Sequence, residues 1–99
     1  MIKKRIREII KTGKRFETEN FILYFKKRED LKIGFITHSK IGKPVMRNKV
    51  KRIIREVIRG NFEKGDFLFI LKKGIIEKSK DEIKNEIGKI KNEIGYSAY

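Results

Sequence analysis

A chain of 99 residues has room for one domain with a modest core, and too few residues for two. It carries 27 Lys+Arg against 13 Asp+Glu, a formal +14, while 38% apolar content argues against wholesale disorder. With no cysteine, disulfides, thiolate metal sites and cysteine nucleophiles are excluded together. The charge is also uneven. Residues 1–59 hold 19 basic and 6 acidic groups (net +13), and residues 60–99 hold 8 and 7 (net +1). A face of one sign built by the first 59 residues attracts polyanions, most often nucleic acid. No apolar run approaches the ~20 residues that span a bilayer. The charged start MIKKRIREIIK lacks the apolar core of a secretion signal. A soluble, cytoplasmic protein with no membrane partner is expected.

In chain order, Ile2, Ile6, Ile9 and Ile10 fall at i, i+4, i+7 and i+8, one face of a short amphipathic helix over 2–11. Thr12-Gly13 ends it, with Gly13 suited to a left-handed cap. Lys14 to Thr18 reads as a short strand. NFILYFKK follows, alternating Phe21, Leu23 and Phe25 with Ile22, Tyr24 and Lys26, the period of a strand. REDLK is a turn, and IGFITHS (33–39) is a second clear strand, apolar on parts of both faces. KIGKP leads into a basic helix, with Pro44 in its first turn and Gly60-Asn61 closing it near Arg59. DFLFIL (66–71) is apolar on successive residues, which predicts a central strand covered on both faces; Lys72-Lys73-Gly74 ends it. Ser79-x-x-Glu82 is a capping box, and Ile83, Ile87, Ile90 and Ile94 follow at 4-3-4 spacing. IKNEIG occurs at 83–88 and again at 90–95. Two copies alone predict a core-facing helix instead of a coiled coil. The sum is one α+β domain over 1–99, in the order α-β-β-β-α-β-α.

The basic helix, Pro44 to Arg59, carries two patterns. Val45, Met46, Val50, Ile53, Ile54, Val57 and Ile58 make an apolar stripe at steps of three and four. Arg47, Lys51, Arg55 and Arg59, each four apart, make a second row with Asn48 and Arg52 alongside. Like charges at this spacing destabilise an isolated helix by a few tenths of a kcal/mol each, about 0.2–0.5. Only Glu56 lies near enough within the helix to offset them, opposite Arg52 or Arg59. Most charge runs are solvated faces, but this one is nearly all one sign and rich in Arg, which matches phosphate bidentately. Nucleic acid is the favoured partner. A membrane-surface helix is disfavoured, because the stripe is β-branched, lacks Trp or Phe, and is wanted by the core.

KIGKPVMRNKVKRIIRE resembles the signature of the bacterial ribonuclease P protein subunit, a glycine loop leading into a helix that bears Arg-Asn-x-x-Lys-Arg-x-x-Arg. Arg47, Asn48, Lys51, Arg52 and Arg55 occupy all five motif positions, and NFILYF, KIGFITHSKIG and KGDFLFILKKG follow the same family at compatible intervals. The resemblance covers about residues 10–74. It implies an α/β sandwich related to the second domain of ribosomal protein S5, with a left-handed βαβ crossover around the basic helix. It further implies a monomeric protein that binds a catalytic RNA, which with Mg2+ removes the 5′ leader of precursor tRNA. The basic row would then lie on the RNA near its active centre, and a cleft between the first helix and the sheet would hold the single-stranded leader. On that cleft the family places an aromatic at Tyr24 and two more at the positions of Ile6 and Ile10, which here are aliphatic and stack poorly.

Lys40 and Lys43 flanking the glycine loop, and Lys72 and Lys73 ending the central strand, are candidate phosphate contacts or plain surface lysines. His38, the sole histidine, has no partner cluster for acid–base or metal chemistry, and an RNA-contacting or structural role is expected for it. No Ser-His-Asp set, metal-ligand spacing or phosphate-binding glycine motif occurs. No catalytic side chain and no protein metal site are therefore expected. A ribosomal or general RNA-binding protein is the alternative reading, and an RNA-free protein nuclease is disfavoured.

Overall fold

Alternation in NFILYFKK sorts most of the molecule onto two faces of one sheet. A computed structural model describes residues 3–94. Its elements are α1 (Lys3–Thr12), β1 (Lys14–Glu17), β2 (Phe21–Lys26), β3 (Leu31–Ile36), α2 (Pro44–Asn61), β4 (Gly65–Leu71) and α3 (Lys80–Ile94). Short 3-10 turns span Ser39–Ile41 and Lys73–Glu77. The strands order β1-β2-β4-β3, antiparallel except for the parallel β3–β4 pair, which α2 joins as a crossover. This is the expected α-β-β-β-α-β-α order in one domain.

Phe21, Leu23 and Phe25 of β2 stand opposite Leu71, Phe69 and Phe67 of β4, and all six are buried. With Phe16, Ile33 and Phe35 they form the floor on which α2 and α3 pack. Phe21 meets Phe69 edge-on at 5.2 Å, and Phe62, just past α2, reaches Phe67 at 4.8 Å. Full burial of such a side chain contributes roughly 1.5–3 kcal/mol, so this face dominates the core. The other face carries Ile22, Tyr24, Lys26, Asp66, Leu68 and Ile70. Among the described residues α1 packs on it, with Ile9 buried. β4 is central and buried at all but one position, as its run of apolar residues predicts.

Several boundaries differ from the sequence expectation. β3 begins at Leu31 and ends at Ile36, because His38 turns the chain instead of extending it: its Nδ1 accepts the Lys40 N–H at 3.1 Å and caps the 3-10 turn. α2 continues through Gly60 to Asn61, whose side-chain amide donates to the Val57 carbonyl at 2.7 Å. The turn over Lys73–Glu77 has no counterpart in the sequence expectation; it buries Ile75 against the core. Gly13 is not left-handed. Its N–H donates to the Ile9 carbonyl at 2.7 Å, and a Cβ would sit 2.4 Å from that same oxygen, so close approach is what requires glycine there. Positive φ occurs instead at Gly65 (128°), where a Cβ would also meet the Phe25 ring at 2.7 Å.

The capping box at α3 is formed as read: the Glu82 N–H donates to Ser79 Oγ, and the Ser79 N–H to Glu82 Oε1, each at 3.2 Å. Ile83, Ile87, Ile90 and Ile94 all face the core, the outcome two repeat copies predicted. Ile2 and the Gly95 of the second copy lie outside the described residues.

Candidate nucleic-acid interface

The apolar stripe of α2 fixes where its charges point. Val50, Ile54, Val57 and Ile58 are buried and Ile53 partly so, which anchors the helix on the sheet. Val45 and Met46 do not join them: Val45 is 73% exposed, because the first turn overhangs the core and burial begins at Val50. On the opposite side Asn48, Arg52, Arg55 and Arg59 are exposed, and Arg47 and Lys51 are half-buried along the flank. The Arg55 guanidinium lies over the Phe35 ring at 5.2 Å, which sets that flank against β3, the edge strand. The row four residues apart thus runs along the β3 edge. Glu56 does not neutralise it. Its carboxylate pairs with Lys80 of α3 at 3.3 Å, on the far side, instead of with Arg52 or Arg59.

Around that edge lies the thinly covered face of the sheet. α1 crosses one end of it, with Ile9 seated, Ile6 half-buried and Ile10 exposed on the flank beyond. Tyr24 is half-buried on this face, opposite in direction to Phe21, Leu23 and Phe25. Its cross-strand neighbour is Arg15, held above its ordinary pKa by a hydrogen bond to Glu17 first and to Tyr24 second. Glu17 in turn lies below its ordinary value because Lys72 and then Arg15 hydrogen-bond it. The result is a half-buried phenol beside a charged network of Arg15, Glu17 and Lys72.

The remaining candidates divide. Lys40 and Lys43 are exposed on the glycine loop that opens into α2, and His38 is exposed beside them. Lys73 is exposed at the start of the second 3-10 turn. The Lys72 ammonium is engaged inside the protein, on Glu17 at 2.5 Å and the Thr18 carbonyl at 2.9 Å. Where β3 ends and α2 begins, two buried polar atoms, Thr37 Oγ1 and Arg47 Nε, have no hydrogen-bond partner among the described residues. Sequence reasoning passed over Thr37 and Arg15. Neither carries a motif, and only the cross-strand register with Tyr24 marks Arg15.

A sequence profile of the Ribonuclease P family matches residues 2–95. The chain belongs to the bacterial ribonuclease P protein family. It is 34% identical over 101 residues to the ribonuclease P protein component of Clostridium acetobutylicum, covering 94% of this chain and 85% of that one. The component from Clostridium kluyveri is 36% identical over 89 residues, 82% and 80% of the two chains. The ribonuclease P protein of Thermotoga maritima superposes with a TM-score of 0.75 at 26% identity, covering 91% of each chain. That of Staphylococcus aureus shares the fold at a TM-score of 0.78 and 22% identity, over 91% and 88%. Membership in the ribonuclease P family implies an RNA partner within a tRNA-processing ribonucleoprotein. Among the described residues no helix is long and apolar enough to cross a membrane.

Proposed function

We propose that this chain is the protein subunit of a ribonuclease P holoenzyme, gripping the catalytic RNA with α2 and the 5′ leader of precursor tRNA with the open sheet face. The observation that carries this reading is a one-sign row, half-buried Arg47 and Lys51 with exposed Arg55 and Arg59, along the flank of a helix whose other side is buried. Phosphates on the RNA bind the row with Asn48 and Arg52, and Lys40, Lys43 and Lys73 extend the contact. Arg55 is held by Phe35, so part of its ordering cost is met before RNA arrives.

Single strands are held by a positive groove and flat platforms, largely without reading sequence. Tyr24 supplies the platform, with Ile6 and Ile10 as aliphatic walls and His38 at the rim. Hydrolysis of the precursor belongs to the RNA and its Mg2+. Among the described residues no three His, Cys, Asp or Glu side chains are placed to hold a metal ion. The protein's part is charge neutralisation and leader capture. The test compares precursor tRNA with mature tRNA as ligands of the assembled complex. Added protein tightens only the leader-bearing species; equal gains for both contradict leader capture.

A further inference from the structure

Val45 opens α2 in a way that neither the core nor the helix explains. It is 73% exposed and Met46 beside it 39%, whereas the other apolar residues of the stripe are buried or half-buried. Steps of three, four and seven residues carry Val45 onto Asn48, Lys49 and Arg52, all exposed, so it heads the outward line of the helix. Local stability calls for another residue there. The first turn of a helix favours acidic or capping side chains, and a β-branched residue is a weak helix former. α2 has no acidic residue in that turn and no side-chain cap. Its apolar end, Pro44-Val45-Met46, is turned to solvent instead.

The surroundings narrow what covers this end. Lys40 and Lys43 on the glycine loop and Lys49 one turn on are exposed, and none makes an ion pair among the described residues. The end is also firmly seated. Ile41 before it is buried, and the Met46 and Arg47 N–H groups both donate to the Lys43 carbonyl at 3.0 Å. Three apolar residues ringed by cations are a small patch beside the roughly 800 Å² that each partner buries in a stable protein interface. A nucleotide matches both features at this scale: its base has a flat apolar face, and its flanking phosphates carry the charge. That face is open only where the base is unstacked.

We propose that Pro44, Val45 and Met46 pack as a wedge against one unstacked base of the catalytic RNA, with the phosphates on either side of it held by Lys43 and Lys49. The proposal rests on the RNA-partner reading and adds an uncharged contact to it. Continuity assigns the base to the catalytic RNA instead of the leader. The wedge heads the line that Asn48 and Arg52 continue, whereas Tyr24 looks out of the sheet face opposite to the one on which α2 packs. An uncharged contact adds affinity without releasing counterions, so salt separates it from the basic row.

Binding of the whole chain to the catalytic RNA is titrated with salt for the unsubstituted protein, Val45→Ser and Val45→Lys, beside thermal melts. Both substitutions leave the buried stripe intact, so cooperative melting is expected of each. Val45→Ser is expected to bind about fivefold more weakly at every salt concentration, with an unchanged log–log slope. Val45→Lys distinguishes a wedge from a merely cationic face. The proposal predicts weaker binding in spite of the added charge. Binding as tight or tighter, with a slope steeper by ~0.7–0.9 log units per log unit, places a phosphate there instead of a base and overturns the wedge. An unchanged affinity for Val45→Ser overturns it as well, and so does a loss seen only when precursor tRNA is present. If the unsubstituted chain does not bind the catalytic RNA, the RNA-partner reading fails and the wedge with it. If it binds and the variants bind equally well, the wedge alone fails.

Discussion

Arg52 and Arg55 sit three residues apart on one basic face, yet the structure gives them different second roles. Arg52 is exposed and forms no ion pair among the described residues, so Arg52→Ala is expected to weaken RNA association and leave the melting temperature unchanged. Removing one phosphate contact also flattens the salt dependence by ~0.7–0.9 log units per log unit. Arg55 lies over Phe35, and an exposed cation–π contact contributes about 0.5–1 kcal/mol. Arg55→Ala is expected to lose RNA affinity and a small, measurable part of stability together. Salt-titrated binding beside thermal melts separates the two. A melting loss for Arg52→Ala equal to that of Arg55→Ala contradicts this division.

Elements were legible where a period repeats and where a cap is local. Alternation in β2, the apolar run of β4 and the 4-3-4 isoleucines of α3 each predict burial that the structure contains. Legibility failed where a tertiary or single-residue contact decides. Val45 and Met46 match the stripe of α2, but periodicity does not say where the core stops beneath a helix. His38 and the Lys73–Glu77 turn redirect the chain by one capping contact and one buried Ile75, neither of which has a periodic signature. Of the candidate site, the five motif positions were readable from sequence as a family pattern. Arg15 beside Tyr24 was not, since only the cross-strand register brings them together.

Two element-scale outcomes follow from these contacts. Gly13→Ala forces a Cβ against the Ile9 carbonyl that ends α1, and is expected to cost about 1–3 kcal/mol in denaturant unfolding. A neutral result removes close approach as the reason for glycine. At α3, the Ser79 backbone and hydroxyl hold Glu82 below its ordinary value of 4.5. A depressed carboxylate contributes stability above the unfolded-state value, and the contribution is lost as pH falls through the lower folded-state value. The first turn of α3 is therefore expected to fray on acidification below about 4.5, seen as a falling protection factor of the Glu82 amide, its exchange taken relative to the intrinsic rate at the same pH. A protection factor there that stays constant down through that range contradicts the capping assignment.

For the molecule as a whole, asymmetry organises the account. Helices α2 and α3 bury one face of the sheet, α1 covers part of the other, and the basic row runs along the β3 edge between them. A net +14, of which +13 lies in the first 59 residues, repels itself in the free protein. A polyphosphate partner relieves that repulsion, so binding RNA is expected to stabilise the fold as well as position it. Neutralising phosphates is also what Mg2+ does for a folded RNA, so the protein's effect is expected to be greatest where the ion is scarce. The most direct measurement is precursor-tRNA cleavage by the catalytic RNA at low Mg2+, with and without this chain. The account predicts that adding the protein restores cleavage and tightens precursor binding. Cleavage and binding that are the same with and without it would contradict the central claim.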